Sequence, residues 1–270
     1  MRLALNSNVY VKYPIEDTIK FVSELGYDGI EIARTHPFHE LSKLDREELR
    51  HMIEALGLKV CAVQGATPYL DLEFAQKRID AAADVGCPVV NLGCGCLVME
   101  DDKREDYWAE VVENLRQLAK YADDRGITVA VEPEPPVMVP GTQGHSYYER
   151  LIGRTEDVQR VLNEVRAENL GVLLDIGHLY VMEENPLYII EKLKDKIVHV
   201  HIEGIVDRVH CHFVPGRGEV DCEAVLKALH KIEYKGFISV ELGPHMRDPN
   251  RAALESIQYL KGLLYKLELV

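Results

Sequence analysis

Eight times along the chain a short apolar run gives way to a longer stretch in which apolar residues recur every three or four positions. The short runs are RLALNS (2–7), DGIEIA (28–33), KVCAVQ (59–64), PVVNLG (88–93), ITVAVE (127–132), GVLLDI (171–176), KIVHVH (196–201) and GFISVE (236–241). Their length and their Val and Ile content suit buried strands. The stretches between them include IEDTIKFVSELG, DREELRHMIEALG, YWAEVVENLRQLAKYADDRG and TEDVQRVLNEVRAEN, which carry the spacing of amphipathic helices. Val111, Leu115, Leu118 and Ala122, for example, fall on one helical face. Gly26, Gly57 and Gly126 stand where helices end and a left-handed residue closes the last turn. Eight strands in strict alternation with eight helices predict an α/β chain folded as one (β/α)8 barrel over 1–270, with a doubly wound open sheet as the alternative. Two longer connections, 133–153 and 203–221, follow the fifth and seventh strands and read as loops at the face where barrels build their sites.

Side-chain alternation sharpens the picture at four strand ends. Glu132 shares a face with Ala130 and Thr128, Glu241 with Ser239 and Phe237, and Asp175 with Leu173 and Gly171. His201 shares a face with His199, while Val198 and Val200 take the other and are expected to meet the outer helices. The last inward residues of strands five to eight are then Glu132, Asp175, His201 and Glu241, all at one level. Three carboxylates and an imidazole gathered in a partly dry site repel one another unless a cation joins them. That donor set favours one divalent ion, Mn2+, Mg2+ or Co2+ ahead of Zn2+. Glu31 and Gln64 close strands two and three on the inward side and are candidates for substrate hydroxyls, Glu31 equally for a salt bridge in the barrel mouth. His199, one layer deeper than His201, reads as a hydrogen-bonded support. His210 reads as solvent-facing, and Trp108 as packing.

Composition narrows the function. The chain has 270 residues, 47% of them hydrophobic and 28% charged, which is ordinary for a soluble globular domain. A formal net charge of -14 argues against nucleic acid as the main partner, because phosphate contacts need a basic surface. No apolar run approaches the roughly 18 residues of a membrane span, and the first residues lack a secretory apolar region, so a cytoplasmic location is expected. Cys61, Cys87, Cys94, Cys96, Cys211 and Cys222 form no C-x-x-C pair and are expected to be free thiols.

LGYDGIEI (25–32), VEPEP (131–135), LLDIGH (173–178), HVHIEG (199–204) with PGRGEVD (215–221), and SVEL (239–242) together resemble the xylose isomerase-like superfamily of TIM barrels. The likeness runs over essentially the whole chain, and its weight lies in the order and spacing of the motifs. It implies Glu132, Asp175, His201 and Glu241 as metal ligands and His178 as a substrate contact. The stretch after the first ligand departs from the tagatose epimerase pattern: it reads PEPPVMVPG, where Glu134 is the candidate for substrate contact. The arginine expected after the third ligand is displaced, which leaves Arg208 and Arg217 as alternatives. His212 reads as substrate-facing. The endonuclease IV branch, with His36, His39, His210 and His212 as extra ligands, is disfavoured by the acidic balance. The resemblance also implies a homo-oligomer, a dimer first.

Such a site supports proton transfer beside a ketose carbonyl through a metal-stabilised enediolate, with Glu132 and Glu241 as acid and base on opposite faces. The expected function is a divalent-metal-dependent epimerase or isomerase of a sugar or sugar phosphate. The alternatives are a lyase or dehydratase acting on a keto-cyclitol or keto-glycoside, and a non-catalytic sugar-binding barrel. In each case the partner is a small sugar or polyol-derived ketone.

Overall fold

The computed structural model describes residues 1–65, 71–141, 144–244 and 246–269. The chain begins with β1 (Arg2–Asn6), α1 (Ile15–Glu24), β2 (Gly29–Ile32), α2 (Lys43–Ala55), β3 (Lys59–Gln64), α3 (Leu72–Asp84), β4 (Val89–Asn91), α4 (Arg104–Asp123) and β5 (Thr128–Val131). A hairpin of β6 (Val137–Gly141) and β7 (Gly144–Tyr148) precedes α5 (Thr155–Val165). Then come β8 (Leu170–Asp175), α6 (Ile176–Val181), α7 (Pro186–Leu193) and β9 (Ile197–Ile202). A second hairpin, β10 (Gly204–Val206) with β11 (Val209–Phe213), leads to α8 (Cys222–Lys231), β12 (Phe237–Val240) and α9 (Pro249–Lys266). Eight strands close into a parallel barrel in the order β1-β12-β9-β8-β5-β4-β3-β2. This is the barrel the sequence predicts, and the open sheet is not formed.

The outward faces carry the main core. Val129, Val131, Val172, Leu174, Val200, Ile238 and Val240 are buried against helix residues such as Leu115, Leu118, Val161, Leu226 and Leu260. The inside of the barrel is filled separately by Ala62, Val89, Ala130 and Leu173, with Val198 against them. Helix ends follow local chemistry. Ser42 and Asp45 form a reciprocal capping box at the start of α2, and Gly26 and Gly57 close α1 and α2 with φ of +82° and +73°. Leu115 is fully buried on α4. Leu115→Ala is expected to cost about 2–5 kcal/mol by denaturant titration, through lost transfer energy and the cavity left behind. A change below about 1 kcal/mol would mean that α4 repacks freely.

Three features differ from the sequence expectation. The link between β8 and β9 holds two helices, because Asn185 caps a new start at Pro186. Both long connections contain a hairpin; residues 142–143 of the first lie outside the described residues. The second turns at Asp207 and Arg208, both left-handed at φ of +53° and +55°, the backbone that a two-residue turn between twisted strands requires. Finally, Val198 does not face the helices. The register steps from Val172↔Ile197 to Leu173↔His199, so Val198 is an extra residue that turns into the barrel over Gly171. Among the described residues no helix is long and apolar enough to cross a membrane.

Candidate metal centre

Glu132, Asp175, His201 and Glu241 meet at the C-terminal mouth, and one donor atom of each lies within 4.8 Å of the others. Around the ring the order is β5, β8, β9 and β12, so the two glutamates flank Asp175 and His201. His201 Nδ1 stands 2.9 Å from Glu241 Oε2, 3.4 Å from Asp175 Oδ2 and 3.6 Å from Glu132 Oε1. All four residues are buried.

The other half of the ring holds these four side chains in place. Glu31 accepts from His201 Nε2 at 2.8 Å and from His199 Nε2 at 3.0 Å, and it is fully buried. With Nε2–H spent on Glu31, the lone pair of His201 is on Nδ1, which faces the carboxylates. Asn91 Nδ2 donates to Glu132 Oε2. Gln64 Nε2 lies 3.4 Å and Asn6 Nδ2 3.5 Å from Glu241 Oε1. Each glutamate thus has one oxygen held by an amide and the other turned to the centre. Asp175 Oδ1 accepts from the backbone N–H of His178 at 2.8 Å.

The residues fit a divalent cation. Asp175 Oδ2 and His201 Nδ1 are buried and have no hydrogen-bond partner among the described residues, yet they point at one another. Buried polar atoms are seldom left so, and one cation would satisfy both. Electrostatics agree. Burial raises Glu132. Burial also opposes charge on Asp175 and Glu241, but His178 and His201 hold Asp175 well below the carboxylate range, and His201 and His212 hold Glu241 down. Burial pulls His201 down, but the charges of Glu31 and Glu241 outweigh it and raise it well above its usual value.

The metal-free centre therefore keeps a proton on His201 at neutral pH, and a cation must displace it. Mn2+ binding at pH 7 is expected to release protons, and affinity to fall as pH falls. Calorimetry in buffers of different ionisation enthalpy reads the proton count directly; no buffer dependence would sink this account.

The structure brings only some of the remaining candidates to the centre. His178 does reach it: Nδ1 is 3.0 Å from the carbonyl of Pro133, and Nε2 is 3.6 Å from Asp175 Oδ2. His212 Nδ1 lies 3.8 Å from Glu241 Oε2. His210 is exposed, as the sequence suggests, and its Nε2 also comes within 2.9 Å of His178 Nε2, because β10 and β11 fold the segment back over the mouth. Gln64 reaches Glu241, while Glu31 is committed to the two histidines beneath the mouth. Glu134 pairs with Arg150 at 2.9 Å. Neither candidate arginine joins the cluster: Arg208 pairs with Glu183 and Arg217 with Glu255, both on the exterior. His36 bonds Ser7 Oγ and His39 bonds Arg78, so both are structural. Trp108 packs on α4 with Nε1 donating to Glu164 at 2.8 Å. The six cysteines are free.

Sequence reasoning missed Asn6, Asn91 and Glu203. Asn6 and Asn91 end apolar runs, the same signal that singled out Gln64. Glu203 continues the inward alternation of His199 and His201 one step past the strand. It is fully buried, and burial with the nearby Asp175 charge pushes it up to about 8.

A closed parallel barrel with acids and an imidazole gathered at its C-terminal mouth defines a class of barrel proteins with a candidate metal centre. The chain belongs to the family described as xylose isomerase-like TIM barrel, whose pattern matches residues 19–263. It is 25% identical over 273 residues to fructoselysine 3-epimerase of Shigella flexneri, covering 94% of each chain. It is 24% identical over 285 residues to inosose dehydratase of Glaesserella parasuis, covering 91% of this chain and 89% of the relative. Its fold superimposes on a structure of L-ribulose 3-epimerase with a TM-score of 0.81 at 21% identity, covering 99% and 97% of the two chains.

Proposed function

We propose that the protein is a divalent-metal-dependent epimerase of a small sugar or polyol-derived ketone. The observation that carries this reading is the pair Glu132 and Glu241. They approach one centre from either side of Asp175 and His201, each with its outer oxygen held by an amide. A cation on Glu132, Asp175, His201 and Glu241 would supply Lewis-acid stabilisation of negative charge developing on substrate oxygens. One glutamate removes the proton next to the carbonyl, and the other returns a proton to the opposite face. Asn91 orients Glu132; Gln64 and Asn6 orient Glu241. His178, with its Nδ1 held by Pro133, presents Nε2 to the mouth, where it can hold a substrate oxygen. The epimerases among the relatives support this assignment.

The dehydratase reading keeps its place because a named inosose dehydratase matches about as well as the epimerase. There one acid would protonate a leaving hydroxyl on the carbon next to the deprotonated one. A panel of ketoses and keto-inositols incubated in D2O with the Mn2+-loaded protein separates the two. Epimerisation is expected to add one deuteron at a single carbon, whereas dehydration removes water. Neither change on any member of the panel would count against both.

A further inference from the structure

At the end of the barrel opposite the mouth, a cavity of about 610 Å³ opens beside the first residues of β1, β3 and β12. Val60, Val89, Val198 and Phe237 wall it, and it reaches His199, one layer below His201. Small-molecule sites commonly enclose about 300–1,000 Å³. Barrels of this kind fill their interior with layers of bulky branched side chains. Here two inward positions are glycines. A methyl group at Gly29 would overlap the Phe237 ring, and one at Gly171 would overlap Val198. Phe237 and Val198 therefore rest on bare backbone. Ala4 and Cys61, the residues packed with Phe237, are small as well, so this end of the barrel is left unfilled.

The rim of the cavity is cationic. Arg2, Arg50 and Lys59 line it, and Glu54 is the one acid among its lining residues. Arg50 is paired with Glu54 at 2.8 Å. Arg2 and Lys59 form no ion pair with an acid among the described residues. The Arg2 guanidinium lies 4.1 Å from the centre of the Phe237 ring and donates to the Lys235 carbonyl at 2.7 Å, which fixes it at the edge of the hollow. The chain carries 45 acidic and 31 basic residues, so two unneutralised cations beside one apolar hollow run against its overall charge. A cleft lined by one sign of charge, with walls of low dielectric, concentrates the opposite ion.

We propose that this cavity binds a small organic anion with an apolar body. Its carboxylate or sulfonate head meets Arg2 and Lys59, and its hydrocarbon part lies against Phe237, Val89 and Val198. A polyol is a poor occupant, because its hydroxyls would face these apolar walls unpaired. The ligand therefore differs from the ketone proposed for the mouth, and the site stands independently of the metal centre.

The test is fluorescence titration of the whole chain with 8-anilinonaphthalene-1-sulfonate and with N-phenyl-1-naphthylamine, the same hydrocarbon without the sulfonate. The wild type is expected to bind the anion saturably, one per chain, and to prefer it to the neutral probe about tenfold, the sum of two exposed charge contacts. Lys59→Gln should lower the affinity for the anion about 2–5-fold, the scale of one such contact, and leave the neutral probe unaffected. The double variant Arg2→Gln with Lys59→Gln should bind the two probes equally. Val198→Phe, which grows into the cavity, should abolish binding of both. Lys59 is exposed, so its single variant carries the test if either of the others fails to fold. Equal affinity for the two probes in the wild type overturns the site, as does the absence of saturable binding of the anion. An unchanged preference in folded Lys59→Gln, or undiminished binding in folded Val198→Phe, overturns it as well.

Discussion

Glu132→Gln and Glu241→Gln are each expected to lower turnover at least ~10²-fold, the usual scale for loss of a positioned acid or base. Metal content should fall far less, because an amide oxygen can still coordinate. The geometry makes the two variants distinguishable. Each glutamate stands on its own side of the Asp175–His201 pair, so the surviving acid can still exchange a proton on its own face. Net epimerisation should vanish in both, while solvent deuterium enters one epimer only, and a different one in each variant. Near-wild-type turnover with full metal occupancy in either variant would falsify the two-carboxylate mechanism.

Glu31→Gln should have the next largest effect, although Glu31 is outside the proposed ligand set. Its carboxylate accepts N–H groups from both His199 and His201 in the buried interior. Both imidazoles bond Glu31 Oε2, so a glutamine oxygen placed there keeps two neutral bonds but loses the charge that strengthens them. The Nε2–H that keeps the His201 lone pair on Nδ1 is then poorly anchored. Mn2+ affinity should fall about 10–100-fold, as it does when an outer partner of a ligating histidine is removed. Competition with a chelating dye measures it; unchanged affinity would show that His201 needs no such anchor. The metal-free fold should also lose about 3–5 kcal/mol, since breaking a buried charged pair strands the partner.

The barrel was legible because two periods, of strand and of helix, alternate from Arg2 to Lys266, with only the two hairpins and the paired helices after β8 departing from that rhythm. The four central residues were legible because alternation puts Glu132, Asp175, His201 and Glu241 on the inward side of neighbouring strands. What remained hidden depends on backbone detail that alternation does not encode. The extra residue at Val198 breaks the period, so its side chain was assigned to the wrong face. The turn at Asp207 and Arg208 lacks the glycine or asparagine that usually marks such hairpins, so the sequence shows His210 as exposed but not its contact with His178. Distance along the chain does not place the arginines, because Glu183 and Glu255 decide where they point.

Glu132 leans on Asn91, whereas Glu241 leans on Gln64 and Asn6, and none of these three amides serves both acids. The basicity of each glutamate can therefore drift without disturbing the other. No such change can alter the ratio of two epimers at equilibrium, which belongs to the substrates alone. It can move the kinetic bottleneck from one face of the substrate to the other. In the proposed epimerisation, substitutions on the β1–β4 side of the barrel thus offer a route to favour the working direction a cell needs, while the four side chains at the centre stay as they are.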